Sequence, residues 1–162
     1  MKGTTMKKID WDNLEYYDFV GIVAGIAVLI YALYVGTLWY VTYDYRIQTR
    51  DQIVEMYQQI SDPIHPIKND YGVEQKWLTY SIFGTKEFER DLTDDEFDRY
   101  REQLLSRGWK MDKRYIGSIS NRRFTSMILR EGEFVFEITR WDEEKKCSLF
   151  LVKEDWIHDK GF

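Results

Sequence analysis

The distribution of hydrophobic and charged residues divides the chain into two regions. Residues 19–43 contain no Asp, Glu, Lys or Arg, and Asp18 and Asp44 bracket this uncharged run. About 20 apolar residues in a helix are enough to cross the ~30 Å hydrocarbon core of a bilayer. Trp and Tyr residues cluster at both ends of the run, as is typical of membrane–water interfaces. The pattern therefore predicts a transmembrane helix over residues 19–43, after an N-terminal flank of residues 1–18.

A buried core helix and a cleaved signal peptide are the alternatives to a membrane anchor. The run is long for a core helix, and it exceeds the ~7–15 apolar residues of a signal peptide. An uncleaved single-pass anchor is therefore favoured. Three lysines precede the run and two arginines follow it closely: Lys2, Lys7, Lys8, Arg46 and Arg50. Because basic residues favour the cytoplasmic side, we expect a cytoplasmic N-terminus and a C-terminal domain outside the cytoplasm.

Small residues form a stripe along the predicted membrane helix. At 100° per residue they fall within about 60° of one another on the helix surface. The stripe consists of Gly21, Gly25, Ala32 and Gly36. Small residues four apart let two membrane helices approach closely, although glycine is also generally frequent in such helices. The pattern predicts lateral pairing with a second copy or with another membrane protein.

A second helix and a linker are predicted to follow the membrane span. Apolar residues recur at roughly helical spacing over residues 44–60, which indicates a juxtamembrane linking helix. This helix should end before Asp62-Pro63, because the residue before a proline disfavours the helical conformation. Two prolines and a glycine then favour an extended linker with a turn over residues 61–74.

Residues 75–153 predict a small domain of the α+β class. The apolar residues of Trp77–Phe83 alternate, which predicts a strand, and Gly84-Thr85 favours a hairpin turn into a short return strand over Lys86–Asp91. Thr93 and Glu96 have the spacing of a capping box at the start of an amphipathic helix over residues 94–107. Gly108 supplies a left-handed stop for that helix.

Several strands are predicted after the helix. Residues 109–116 are ambiguous, whereas three later segments read as strands: Phe124–Arg130, Glu133–Arg140 and Cys147–Val152. Glu131-Gly132 is the predicted turn between the first two. This order of elements predicts a mainly antiparallel sheet with one amphipathic helix packed on one face. Residues 154–162 form a C-terminal tail whose aromatic residues suit either a docked tail or a partner contact.

The composition offers little catalytic chemistry. The chain has 162 residues, one cysteine and two histidines, so an internal disulfide or a cysteine zinc cluster is excluded. His65 and His158 have no metal-ligand spacing, and Cys147 is expected to pack as a small hydrophobe. We therefore predict no catalytic residue, no metal ligand and no cofactor. The net charge of −5 and the lack of a recognition motif argue against a nucleic-acid partner.

Basic residues are concentrated between the helix and the second half of the predicted sheet. They are Arg107, Lys110, Lys113, Arg114, Arg122 and Arg123. Such a cluster either contacts acidic lipid headgroups or an acidic protein, or forms a solvated surface. Exposure of Tyr115-Ile116 beside these charges would favour a contact surface.

These patterns lead to one preferred function and two alternatives. The preferred function is a non-enzymatic, single-pass membrane protein that acts as an accessory subunit of a membrane complex or as a toxin-neutralising partner. Its partners would be membrane lipid and either a membrane protein or a second copy. The alternatives are a membrane-tethered sensory or ligand-binding domain and, less favoured, a small membrane-tethered hydrolase.

Overall fold

The computed structural model describes residues 16–76 and 78–155, and the chain divides into two compact units after Val41. The first unit contains helix α1, Tyr16–Val41. Its 26 residues give a length of about 39 Å at 1.5 Å per residue. The segment Phe19–Val41 is long and apolar enough to cross a membrane, as the uncharged run predicts. The predicted flank up to residue 15 and the tail from residue 156 lie outside the described residues.

The second unit is an antiparallel sheet with two helices. In chain order its elements are α2 (Tyr43–Gln58), β1 (Lys68–Lys76), β2 (Thr79–Glu87), α3 (Asp94–Ser106), β3 (Lys110–Ile119), β4 (Arg122–Glu131), β5 (Phe134–Trp141) and β6 (Lys146–Lys153). The six strands are arranged in the order β1-β2-β6-β5-β4-β3, and every pairing is antiparallel. The predicted α+β fold is confirmed.

One face of the sheet, here called the core face, packs against both helices. Strand residues alternate between two faces, and the register aligns Ile82, Leu151 and Phe136 across β2, β6 and β5. These residues belong to one buried cluster with Ile53 of α2 and Phe97 of α3. Helix α2, predicted as a linking helix, is therefore an integral part of the domain. The opposite face of the sheet is called the open face.

Helix α3 forms where its local sequence predicts it. The Thr93 hydroxyl accepts a hydrogen bond from the Glu96 N–H at 3.2 Å, and the Glu96 carboxylate accepts one from the Thr93 N–H at 2.9 Å. Leu92 and Phe97 are both buried, as expected of a hydrophobic staple. Gly108 follows the helix with a φ of +98°. The capping box and the glycine stop are confirmed.

Two local predictions are wrong. The predicted linker contains strand β1, which pairs with β2 along its length. All nine residues of β1 are exposed, so the strand lacks the apolar alternation by which strands are recognised. The predicted hairpin turn at Gly84-Thr85 lies instead within β2. Gly84 is required there because a Cβ at this position would collide with the Tyr57 side chain.

The remaining boundaries shift only slightly. The ambiguous residues 109–116 mostly belong to β3, which has a bulge between Met111 and Lys113. Glu131 pairs with Phe134, so the turn between β4 and β5 consists of Gly132 and Glu133, one residue later than predicted. Gly132 has a φ of +59° in this turn.

Candidate interaction surface

The open face of the sheet carries large apolar side chains. Val135 and Val152 lie on this face and are buried. Six of the other apolar side chains that alternation and register place there are Phe83, Tyr115, Phe124, Ile128, Trp141 and Phe150. Phe83 is 49% exposed, and the other five are partly exposed. Within the described part of the second unit, α2 and α3 both contribute to the core on the opposite face. The open face therefore presents apolar groups to which the helices of this unit contribute no cover.

Three of these side chains form an aromatic row across β3, β4 and β5. The Tyr115 and Phe124 ring centroids are 5.9 Å apart and edge-to-face, and those of Phe124 and Trp141 are 5.3 Å apart. Gly117 faces Phe124 across the strand pair, and a Cβ on it would lie 2.5 Å from Phe124 Cζ. The absence of a side chain at Gly117 therefore leaves room for the Phe124 ring against the sheet. Aromatic residues with partly exposed rings are typical of protein interfaces.

A hydrogen-bonded polar cluster lies beside the aromatic row. Ser126 Oγ donates to Glu137 Oε1 at 2.6 Å, and Tyr115 Oη donates to the same oxygen at 2.8 Å. Ser126 Oγ is also 2.9 Å from Thr139 Oγ1. The hydrogen bond to Glu137 and partial burial raise the pKa of the Tyr115 phenol, so it remains a donor at neutral pH. The cluster fixes the Tyr115 ring and places a carboxylate on the open face.

Strand β3 forms one edge of the sheet and exposes further apolar groups. Ile116 is 65% exposed and Ile119 is 58% exposed. Long edge strands with exposed apolar side chains are potential sites for pairing with another chain. Tyr115 is partly exposed on the open face and Ile116 is exposed on the core face. A contact surface formed by these two residues remains a prediction.

The basic residues predicted from the sequence do not form a single patch. Arg114 pairs with Asp98 of α3 at 2.9 Å, and Arg122 pairs with Glu144 at 3.2 Å. Arg107 follows α3 and donates to the Gln59 carbonyl at 2.6 Å. The other three, Lys110, Lys113 and Arg123, make no ion pair within residues 16–76 and 78–155. The register places Lys110 and Lys113 on the open face and Arg123 on the core face.

The small-residue stripe lies on the exposed surface of α1. Gly21, Gly25 and Gly36 have no atom of another part of the chain within 4 Å of where a Cβ would lie, and Ala32 is exposed. The stripe is therefore unoccupied within the described chain. Lateral pairing through it remains a prediction.

A buried polar cluster was not predicted from the sequence. Lys86 of β2 is 2% exposed and forms an ion pair with Asp62, which also accepts a hydrogen bond from Tyr100 Oη at 2.9 Å. Burial raises the pKa of the Tyr100 and Tyr57 phenols. Lys86 occupies one of the alternate positions of β2 that are buried, so the alternation of the full strand would have indicated that its side chain points into the core. Because a turn was predicted at Gly84-Thr85, the predicted strand ended before Lys86, and the burial of Lys86 was missed.

The potential nucleophile and the described histidine do not come together. Cys147 is fully buried, and burial raises the pKa of its thiol to about 12, whereas an activated cysteine needs a lowered pKa. His65 is exposed. His158 lies outside the described residues. Among the described residues no group of three or more His, Cys, Asp or Glu is arranged to hold a metal ion.

A cleft of about 500 Å³ lies in the second unit beside α2 and the end of α3. Trp109 and Phe136 line it, with ring centroids 5.9 Å apart and edge-to-face. Glu55, Glu131 and Arg107 also line it. The cleft combines aromatic groups with charges of both signs.

No family model matches the chain, and no curated protein is similar to it in sequence. Its function is therefore argued from its own residues.

Proposed function

We propose that the protein is a single-pass membrane-anchored accessory or protein-binding protein. In this proposal α1 anchors the chain in lipid, with the N-terminus in the cytoplasm and the α+β domain outside it. The domain binds another protein through the open face. Only Thr42 separates α1 from α2 along the chain.

The observation that carries this proposal is the apolar open face. Phe83 is 49% exposed on this face and five further large apolar side chains are partly exposed. Exposed apolar patches on a soluble domain mark sites of interaction. Here the aromatic row and the neighbouring Phe83 and Phe150 combine ring surface with the hydrogen-bonding groups of Glu137 and Thr139. Apolar rings accompanied by polar groups are typical of a protein–protein interface.

The proposal is tested by purifying the tagged full-length protein in mild detergent and measuring the mass and composition of the complex. We expect a stoichiometric protein partner. Phe83→Ser should reduce recovery of that partner, because Phe83 is half exposed on the open face. Leu105→Ser is the matched control, since Leu105 is 42% exposed on α3. A preparation that contains only single copies of the chain, or equal losses in both variants, would contradict the proposal.

A second function, ligand binding by a membrane-tethered sensory domain, is favoured by the cleft beside Trp109. It predicts that a small molecule copurifies with the protein, detectable by native mass spectrometry. Met56→Trp places a larger side chain at the wall of the cleft and should abolish that binding. If wild-type protein carries no bound molecule and its thermal stability does not change when metabolite mixtures are added, the ligand-binding function is rejected.

A further inference from the structure

The outer edge of β3 has no strand paired to it within the described chain. The sheet order ends at β3, which pairs only with β4. The strand is ten residues long. An edge of this length offers a row of backbone donors and acceptors to another strand.

The turn that ends β3 determines which backbone groups point outward. Ser120 and Asn121 form a two-residue turn with φ values of 51° and 65°, the conformation of a type I′ hairpin. In such a hairpin the flanking residues, Ile119 and Arg122, form a hydrogen-bonded pair. Because hydrogen-bonded and non-hydrogen-bonded pairs alternate, the N–H and C=O groups of three residues point away from β4. These residues are Arg114, Ile116 and Ser118.

The side chains along this edge add apolar contacts to the free backbone groups. Both isoleucines lie in the half of β3 nearest the Ser120-Asn121 turn. Ile116 is on the core face and Ile119 is on the open face. Both are more than half exposed. An added strand would cover Ile116 with one set of its alternate side chains and Ile119 with the other set.

Charge distinguishes this edge from the other edge of the sheet. The hairpin 110–131 contains six Lys or Arg and two Asp or Glu, although the whole chain carries a net charge of −5. Lys110, Lys113 and Arg123 have no carboxylate paired with them in the described part of the chain. Strand β1, at the opposite edge, has two lysines and two acidic residues and is locally neutral. A second copy of β3 would bring the same cations to the edge, so charge favours an acidic segment.

We propose that the free edge of β3 accepts an extended, acidic and apolar segment of a partner protein as an additional strand of the sheet. The inference rests on the proposed protein-binding function and identifies the chemistry of the partner segment. Backbone hydrogen bonds to Arg114, Ile116 and Ser118 hold the segment, as in other cases of strand addition. Its carboxylates lie on the open face beside Lys110 and Lys113.

The experiment uses the full-length protein in mild detergent and a fluorescent nine-residue peptide of alternating Glu and Val. Binding is measured by fluorescence anisotropy, and amide hydrogen exchange reports where the peptide binds. A peptide with Lys in place of Glu tests charge. An N-methylated version, which lacks alternate backbone donors, tests strand pairing. We expect the acidic peptide to bind and to protect residues 110–119, while both controls bind at least about tenfold more weakly.

Two variants of the protein test the backbone contact. Ile116→Pro removes an N–H that points away from β4, so the pairing with β4 is retained. Ile116→Thr is the control that keeps the backbone donor and reduces the apolar surface. Circular dichroism melting checks that both variants fold. We expect the proline variant to bind the acidic peptide about tenfold more weakly than the threonine variant, since it loses a backbone hydrogen bond and gains a ring at the edge.

Several results would overturn the inference. They are no binding of the acidic peptide to wild-type protein, equal binding by the proline and threonine variants, or protection at residues 68–76 instead of 110–119. Disulfide cross-linking of two copies through Ser118→Cys, at a concentration where the wild type is dimeric, would assign the edge to a second copy. If the peptide fails while a stoichiometric partner still copurifies through the open face, the strand-addition inference fails and the proposed function stands.

Discussion

At the residue scale, the most consequential feature is the ion pair between Lys86 and Asp62 inside the domain. The Lys86 side chain is 3% exposed, so its ammonium group depends on Asp62 for compensation. Asp62 also accepts from Tyr100, and it lies in the segment between α2 and β1. The pair therefore fastens this segment to the core face of the sheet.

Removal of one partner of this pair should be more costly than removal of both. We expect Asp62→Asn to lower the free energy of unfolding by about 3–5 kcal/mol, because it leaves a buried ammonium group unpaired. Lys86→Met combined with Asp62→Asn should cost less than the sum of the two single changes. Denaturant unfolding of the four proteins in mild detergent measures the coupling. Additive single effects would show that the two charges do not compensate each other.

The two buried tyrosines of this region should respond in opposite ways to loss of their hydroxyl groups. The Tyr57 hydroxyl is buried and makes no hydrogen bond within the described chain, whereas Tyr100 donates to Asp62. We expect Tyr57→Phe to be neutral or to stabilise by up to about 1 kcal/mol, and Tyr100→Phe to destabilise by about 1–2 kcal/mol. Thermal melting of both variants beside the wild type measures the difference. Equal destabilisation would mean that Tyr57 has a hydrogen-bond partner in solution.

At the scale of elements, the capping box makes the stability of α3 dependent on pH. The Arg90 guanidinium donates to both Glu96 carboxylate oxygens, at 2.7 Å and 2.6 Å, and the Thr93 N–H donates as well. These hydrogen bonds, Arg90 foremost, lower the pKa of Glu96 to about 2. A lowered pKa in the folded state stabilises the protein above the unfolded pKa, and this contribution is lost as the pH falls.

The pH dependence of a Glu96→Gln variant tests this conclusion. At pH 7 we expect the variant to be about 1–2 kcal/mol less stable than the wild type, an amount limited by solvent screening around the exposed Arg90 side chain. The difference should shrink as the pH falls from 4.5 towards 2, because wild-type Glu96 becomes protonated. Melting temperatures of both proteins across this range measure it. A difference that is constant with pH would contradict the assignment.

Elements defined by local signals were predictable from the sequence, and those defined by tertiary contacts were not. Residues 92–108 contain their own cap, staple and stop, so α3 could be located from the sequence alone. Gly84 has the composition of a turn, but its role is to leave room for Tyr57, a residue 27 positions earlier. Strand β1 is stabilised by pairing with β2 and is exposed throughout, so no periodic pattern reveals it.

The candidate site shows the same division. Tyr115 and Ile116 were named from the sequence because of their basic neighbours. The open face was not, since it depends on the register that aligns Phe124 with Trp141 and Phe83 with Phe150. The basic residues were recognised because they are close together in the sequence. Adjacent residues such as Lys113 and Arg114 lie on opposite faces of a strand, so the cluster is divided between the two faces.

At the scale of the whole molecule, the proposed anchor and domain provide two separate routes to assembly. In the proposed function, the open face and the edge of β3 bind a partner in water, and the stripe on α1 contacts another helix in lipid. The two routes are distinguishable because their residues do not overlap.

The stripe on α1 predicts a specific effect of bulky residues. We expect Gly21→Leu combined with Gly25→Leu to weaken lateral assembly, because the added side chains prevent close helix approach. Ala27→Leu is the matched control, since it enlarges a small residue about 150° around the helix from the stripe. Native mass spectrometry of detergent-extracted complexes measures the assembly. If the double variant retains the same mass, the stripe does not mediate pairing.

The burial of Cys147 has a practical consequence for studying this protein. The wild-type chain has a single thiol, and that thiol is fully buried near the start of β6. A thiol-specific reagent can reach it only when the domain opens. The labelling rate of the unmodified protein therefore measures how often the domain opens. A bound partner that stabilises the folded domain should therefore slow the labelling of Cys147.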